Sequence, residues 1–213
     1  MRTSKFIFGI LDEAIQEVGE KNVVHVITDN ASNCVGAGKM IMEKYNHIFW
    51  IPCAAHCFDL MLHDLAKFPW VNETIRRAKT IANFIINHRL TLSIYRKNAS
   101  KEFLRPCDTR FATFYITLKR VAEEEASLRA VFCNIEWERS LLPKKTKEKH
   151  VEQIVLNNGF WENSDKVLKI CGPIVNVLRM VDGDKPSMGF VYERIDCCKE
   201  AIASAFNNVE VDL

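Results

Sequence analysis

The stretch from Asn22 to His56 constrains this chain more than any other. A β-branched run, Val23-Val24-His25-Val26-Ile27, ends in Thr28-Asp29-Asn30-Ala31-Ser32-Asn33. A helical segment follows, and then a short apolar run, Ile48-Phe49-Trp50-Ile51, which ends in Pro52-Cys53-Ala54-Ala55-His56. The order strand, carboxylate, helix, strand, Cys-x-x-His predicts a crossover with right-handed connection and parallel strands. The strands are expected at Asn22 to Thr28 and His47 to Ile51, with the helix from Asn33 to about Tyr45. The nearly continuous β-branched content of the first predicts burial on both faces. Open α/β sheets gather ligand and metal chemistry at the carboxyl ends of their strands, where Asp29 falls.

The flanking pattern is helical. Ser4 is placed to cap a first helix with Phe8, Leu11, Ile15 and Val18 at spacings of three and four, ended by Gly19. After Pro52, helices are expected at Cys53 to Lys67, from Pro69 through Ile85, at Leu90 to Arg96, from Phe111 to about Glu138, at Trp161 to Val181 and at Gly189 to Phe206. Asp108 or Thr109 is the expected cap of the long one. Gly172-Pro173 predicts a kink, Pro143 to His150 an exposed lysine-rich loop, and Gly183 to Met188 a turn. The expected fold is therefore α/β and helix-rich. A short parallel strand pair with flanking helices occupies 1 to about 68, and an all-helical region follows from 69 to 213.

Bulk properties narrow the function classes. Hydrophobic residues make up 48% of the chain, enough for a packed core. The formal charge of +2 makes any basic surface a local one. The eight cysteines are scattered, and adjacent Cys197-Cys198 does not suit a disulfide framework, so they read as reduced, buried thiols of an intracellular protein. Asp12 and Glu13 interrupt the N-terminal apolar run too early for a signal peptide. No stretch approaches the roughly 20 apolar residues of a membrane helix, so no membrane partner is expected.

Three groups carry candidate chemistry, and each leaves a plainer alternative open. Asp29 has the position of a ligand to a hard divalent cation, or it makes a turn while Asn30, Ser32 and Asn33 cap the next helix. Cys53, His56 and Cys57 share a helical face and supply three zinc ligands without an evident fourth; the alternative is two core thiols and a buried histidine. Lys144, Lys145, Lys147 and Lys149, with Arg76, Arg77 and Lys79 on another helix, suit phosphate contact or a solvated face. Arg110-Phe111 suits stacking on a base or anchoring in the core.

Taken in order, Val26-Ile27-Thr28-Asp29-Asn30-Ala31-Ser32-Asn33, Cys53-Ala54-Ala55-His56-Cys57-Phe58-Asp59-Leu60 and Asp108-Thr109-Arg110-Phe111 strongly resemble plant proteins derived from hAT-superfamily transposases, in their domain-of-unknown-function segment. The resemblance extends to Tyr192-Glu193-Arg194-Ile195-Asp196. It implies a partial ribonuclease-H-like core over 1–68 and a helical insertion whose start lies near 105–111. Active relatives cut DNA with magnesium or manganese held by two Asp and one Glu. The resemblance makes Asp29 the second Asp, and it makes Cys53 and His56 a motif packed near the catalytic core. Arg110-Phe111 corresponds to an Arg-Trp pair that helps hold a distorted DNA end, here with a smaller ring.

The departures shape the expected function. The family's first Asp belongs on a strand before the point where this sequence begins. Its final Glu lies beyond the insertion, and Glu193 and Glu200 do not match it. One carboxylate cannot organise two cations about 3.5–4 Å apart. The expectation is a transposase-derived domain, nuclear by resemblance, that neither cleaves nor joins DNA and has no resident cofactor. Its expected partners are DNA, a protein, or a second copy paired through an exposed strand edge. Two further readings stay open: a nuclease completed by another chain's carboxylates, and a zinc-stabilised interaction module.

Overall fold

The structure is a computed structural model that describes residues 3–103, 113–183 and 188–205. The chain divides into two compact units, one built on Met1–Leu60 and the other on Met61–Val177. It is a helix-rich α/β chain with a short parallel strand pair. No helix among the described residues is long and apolar enough to cross a membrane.

The first unit opens with α1, Ser4–Val18. Its N-cap is Thr3 rather than Ser4: the Thr3 hydroxyl accepts from the Phe6 N–H at 3.3 Å. Gly19, at φ +88°, takes the left-handed turn that ends the helix. A 3₁₀ turn over Glu20–Asn22 then occupies what the sequence suggests is the start of the strand. Strand β1 is therefore short, His25–Thr28. Helix α2 runs Ser32–Lys44 and strand β2 Phe49–Pro52. The strands are parallel, with His25 opposite Phe49 and Thr28 opposite Pro52.

The core of this unit is Ile15, Val26, Ile41, Tyr45 and Ile48, with Phe8, Leu11, Val23 and Trp50 packed against it. Gly36 lets α2 approach α1 closely, since a Cβ there would sit 2.9 Å from the Ser4 Cβ. A polar clasp joins the same helices. Lys44 Nζ donates to Asp12 at 2.7 Å, Tyr45 Oη donates to Asp12 at 2.7 Å, and Gln16 Nε2 donates to Tyr45 Oη at 2.6 Å. These bonds, that of Lys44 first, hold the Asp12 carboxyl below its ordinary value against the opposing effect of burial.

The expectation of a strand buried on both faces fails. Only Val26 of β1 is buried, while Ile27 stays 51% exposed and the preceding Val24 58%. The composition is that of a buried strand, but α1 and α2 cover one face only. Among the described residues β1 pairs with β2 alone, so its outer edge has no second strand.

The remaining helices are α3 Ala54–Leu65, α4 Pro69–Asn87, α5 Arg89–Asn98, α6 Thr113–Glu123, α7 Glu125–Phe132, α8 Ile135–Arg139, α9 Thr146–Leu156, α10 Asn158–Val181 and α11 Met188–Ala205. Pro69 sits in the first turn of α4, where its missing N–H costs nothing. In the second unit α4 packs against α5, α6 and α9. Phe84, Phe132 and Trp137 form an aromatic core with ring centroids 4.9 to 6.2 Å apart.

Two helical expectations are corrected. The long helix to Glu138 is three helices, broken at Glu124 and again at Cys133 and Asn134. Glu124 turns its side chain into the protein, where the carboxylate accepts from Ser100 Oγ at 2.5 Å, the Ser100 N–H at 3.3 Å and Ser127 Oγ at 2.9 Å. Burial pushes this acid up, but these donors outweigh it and hold it below the ordinary range. The lysine-rich segment is not a loop either. Leu142–Lys144 is a 3₁₀ turn, and α9 begins at Thr146 because Val151, Ile154 and Val155 give it a buried stripe. Helix α10 continues through Pro173. Asp108, Thr109, Arg110 and Phe111, and most of the expected turn at Gly183 to Met188, lie outside the described residues.

Candidate functional site at the strand ends

The turn after β1 is fixed from both strands. The Cys53 N–H donates to the Thr28 carbonyl at 2.7 Å, tying the end of β2 to the end of β1. The Trp50 indole N–H donates to Thr28 Oγ1 at 2.9 Å, and that hydroxyl donates to the Asp29 carbonyl at 3.0 Å. Gly38 of α2 makes room for Trp50: a Cβ at Gly38 would overlap the indole ring. A glycine in one helix turn thus seats the tryptophan that holds the threonine beside Asp29.

Asp29 itself is exposed. Its carboxylate is nonetheless engaged. The Ala31 N–H donates to Oδ1 at 3.2 Å, and the Cys34 thiol beside it and, more weakly, the His56 imidazole favour its charged form. These interactions, led by the thiol, hold Asp29 below its ordinary value although burial opposes them. The reciprocal effect raises the Cys34 thiol, first through its contact with the Asp29 carboxylate and then through burial. A thiolate beside a carboxylate is disfavoured, so Cys34 is held protonated, a poor nucleophile. Asp29 also precedes the amino end of α2, where a negative charge meets the positive end of the helix dipole.

The expected cap set is different. The N-cap of α2 is Ala31, without a side-chain bond, and Asn33 Oδ1 accepts from the neighbouring Cys34 N–H at 3.1 Å. The work of closing the turn falls to Asp29 and Ala31.

Magnesium and manganese prefer oxygen ligands in near-octahedral geometry. The titratable side chains acting on Asp29 are instead a thiol and an imidazole. Among the described residues no three His, Cys, Asp or Glu side chains gather to hold a metal ion. Among the described residues the side chains around Asp29 do not make a donor set for a cation pair, and Cys53, His56 and Cys57 do not gather as zinc ligands.

Asp29, Cys53 and His56 meet at one end of the sheet. Cys53 precedes α3 and accepts, through its carbonyl, the Cys57 N–H at 3.1 Å. Cys53, His56 and Cys57 are half-buried rather than core residues, because they lie at the strand ends and the first turns of α3. All seven described cysteines are free. Lys144, Lys145 and Lys147 belong to the second unit, at the start of α9. Arg110 and Phe111 are outside the described residues. Cys34, Thr28 and Trp50 are the site residues that sequence reasoning passes over. The available signal was a polar-capable Cys in the first turn of the helix after Asp29.

Neither the curated proteins nor the solved structures give a match to this chain. Residues 1–81, which include both strands and the whole Asp29 turn, match the family model described as Domain of unknown function (DUF659), a domain found in hAT-type transposase-like proteins.

Proposed function

We propose that this chain is a transposase-derived domain of the hAT type that does not cut DNA, and that Asp29 serves in it as a structural carboxylate. The observation that carries this reading is the engagement of Asp29 by the Cys34 thiol and the Ala31 N–H. The family match over residues 1–81 supports the transposase relation. The parallel register of β1 and β2, with α2 between them in sequence, suits a partial ribonuclease-H-like sheet. In that sheet Asp29 is the ancestral second Asp, redirected to closing its own turn.

The purified protein, incubated with supercoiled plasmid and magnesium or manganese, is expected to nick no faster than metal and buffer alone. Asp29→Ala is expected to behave the same. Metal-dependent nicking that disappears in Asp29→Ala would overturn the reading.

A further inference from the structure

Ser100 lies just past the last turn of α5, in exposed chain that is neither helix nor strand. Its neighbour Ala99 has extended backbone, at φ −82° and ψ 141°. Arg96 and Lys97 stand four and three residues before Ser100, and Lys101 follows it. The side chains of all three are at least half exposed. Each is held by a surface ion pair, with Glu102, Glu136 and Glu123 respectively, at 2.7 to 2.9 Å. Such pairs contribute little and open readily. The Ser100 hydroxyl meets the opposite environment. It donates at 2.5 Å to the carboxylate of Glu124, a buried residue whose other donors are the Ser100 N–H and Ser127 Oγ.

We infer that Ser100 is a phosphorylation site for a basophilic serine kinase, and that the added phosphate releases the segment after α5 from Glu124. In the transfer Ser100 Oγ attacks the γ-phosphorus of ATP, the bond from that phosphorus to the β,γ-bridging oxygen breaks, and ADP leaves. The hydroxyl proton passes to the catalytic aspartate of the kinase. Kinases select acceptors by the charge pattern around them, and an acidic groove takes basic side chains placed ahead of the serine. Thr80 shows why the backbone matters as well. Arg77 stands three residues before it, but Thr80 is inside α4 and its hydroxyl donates to the Arg76 carbonyl at 2.8 Å. Ser100 needs only a local opening beyond the end of α5. Once esterified, its oxygen has no proton to give Glu124, and the phosphate sets about −1.5 to −2 charges against a buried carboxylate. The repulsion blocks the return of the segment and removes the donor that draws Glu124 inward between α6 and α7. Farther along, Tyr95 Oη donates to the Lys101 carbonyl at 2.6 Å and the Phe103 ring lies 4.8 Å from that of Tyr95, which confines the release to the surroundings of Ser100. Ser100 belongs to the second unit, so its phosphorylation is independent of the role of Asp29.

The test is incubation of the folded chain with magnesium ATP and the catalytic subunit of a cyclic-AMP-dependent protein kinase, with phosphopeptides mapped by mass spectrometry. Phosphate is expected on Ser100 and absent there in Ser100→Ala. Changing Arg96 and Lys97 together to Ala is expected to slow the transfer roughly tenfold, through the lost charge complementarity. Circular dichroism melts then read the consequence. The phosphorylated parent is expected to melt about 5 °C lower than the untreated one, the size that goes with losing a hydrogen bond to a charged group in a chain of this length. Kinase-treated Ser100→Ala corrects for phosphate elsewhere. In Glu124→Gln, which keeps the shape of the side chain without its charge, phosphorylation is expected to lower the melt by less than half as much. Ser100 left unmodified in the folded chain would overturn the inference, as would an unchanged melt of the phosphorylated parent or equal shifts in the parent and Glu124→Gln.

Discussion

The strand ends of the first unit and the start of α9 in the second both concentrate charge, and they treat it in opposite ways. At the strand ends the carboxylate is engaged by its own turn, through the Cys34 thiol and the Ala31 N–H. At α9 Glu148 is drawn inward to His88, and the ammonium groups of Lys144, Lys145, Lys147 and Lys149 are left facing water. Charge that the local structure has satisfied has little left for a ligand, and charge that it leaves over is available. Glu124 shows that this is not a difference between the two units as such. It lies in the second unit, is 2% exposed, and is satisfied by two serines. A carboxylate's prominence in the sequence is thus a weaker guide to function than the donors that surround it.

Substitutions probe this contrast, and the largest effect is expected at Gly38. Gly38→Val drives side-chain atoms into Trp50, releases its bond to Thr28 and destabilises the first unit by about 3 kcal/mol in denaturant unfolding, the upper range for overpacking. An unchanged midpoint would mean that Trp50 does not hold the Asp29 turn. Glu124→Ala removes the acceptor of three hydrogen bonds and leaves the buried Ser127 hydroxyl with only its bond to the Asn98 carbonyl. The expected loss is about 2 kcal/mol. Asp12→Asn is expected to cost about 1 kcal/mol at neutral pH, since Asp12 is partly exposed. Its folded pKa lies below the ordinary 3.8, so its contribution is complete above that value and is lost as pH falls through the folded pKa. The variant should therefore show a shallower loss of stability on the acid side, and an identical acid limb would rule out the Lys44–Asp12–Tyr45 clasp. The smallest change is chemical. Asp29→Asn should alter stability by no more than about 0.5 kcal/mol at this exposed site. It should also lower the Cys34 pKa, which the carboxylate holds up, so that alkylation of Cys34 at mildly alkaline pH, followed by mass spectrometry, runs faster. An unchanged rate would show that the two groups do not interact.

Much of the first unit is legible in the residues, because its signals are local. Glycines, the β-branched run and the spacing of apolar positions place α1, β1, α2 and β2 to within a few residues. The exposure of Ile27 is not local: it depends on what covers the second face of the sheet, which a strand's composition does not specify. The break at Glu124 is hidden for a related reason. Glutamate favours helices, and only the arrival of Ser100 from the end of α5 makes turning inward favourable. The lysine run suggests a loop because its charge and Pro143 obscure the Val151, Ile154 and Val155 spacing that makes α9 a helix. At the site, Asp29 and His56 are visible as motif residues, but the approach of Cys34 depends on the backbone path of the turn.

Titration with manganese followed by amide NMR decides whether the Asp29 carboxylate is committed to its own turn. Paramagnetic broadening reports any ion that dwells near the Ala31 and Cys34 amides. No preferential broadening is expected there at submillimolar manganese, in the parent or in Asp29→Asn. Saturable broadening centred on Ala31 and Cys34 that is lost in Asp29→Asn would contradict it and return Asp29 to the role of a metal ligand.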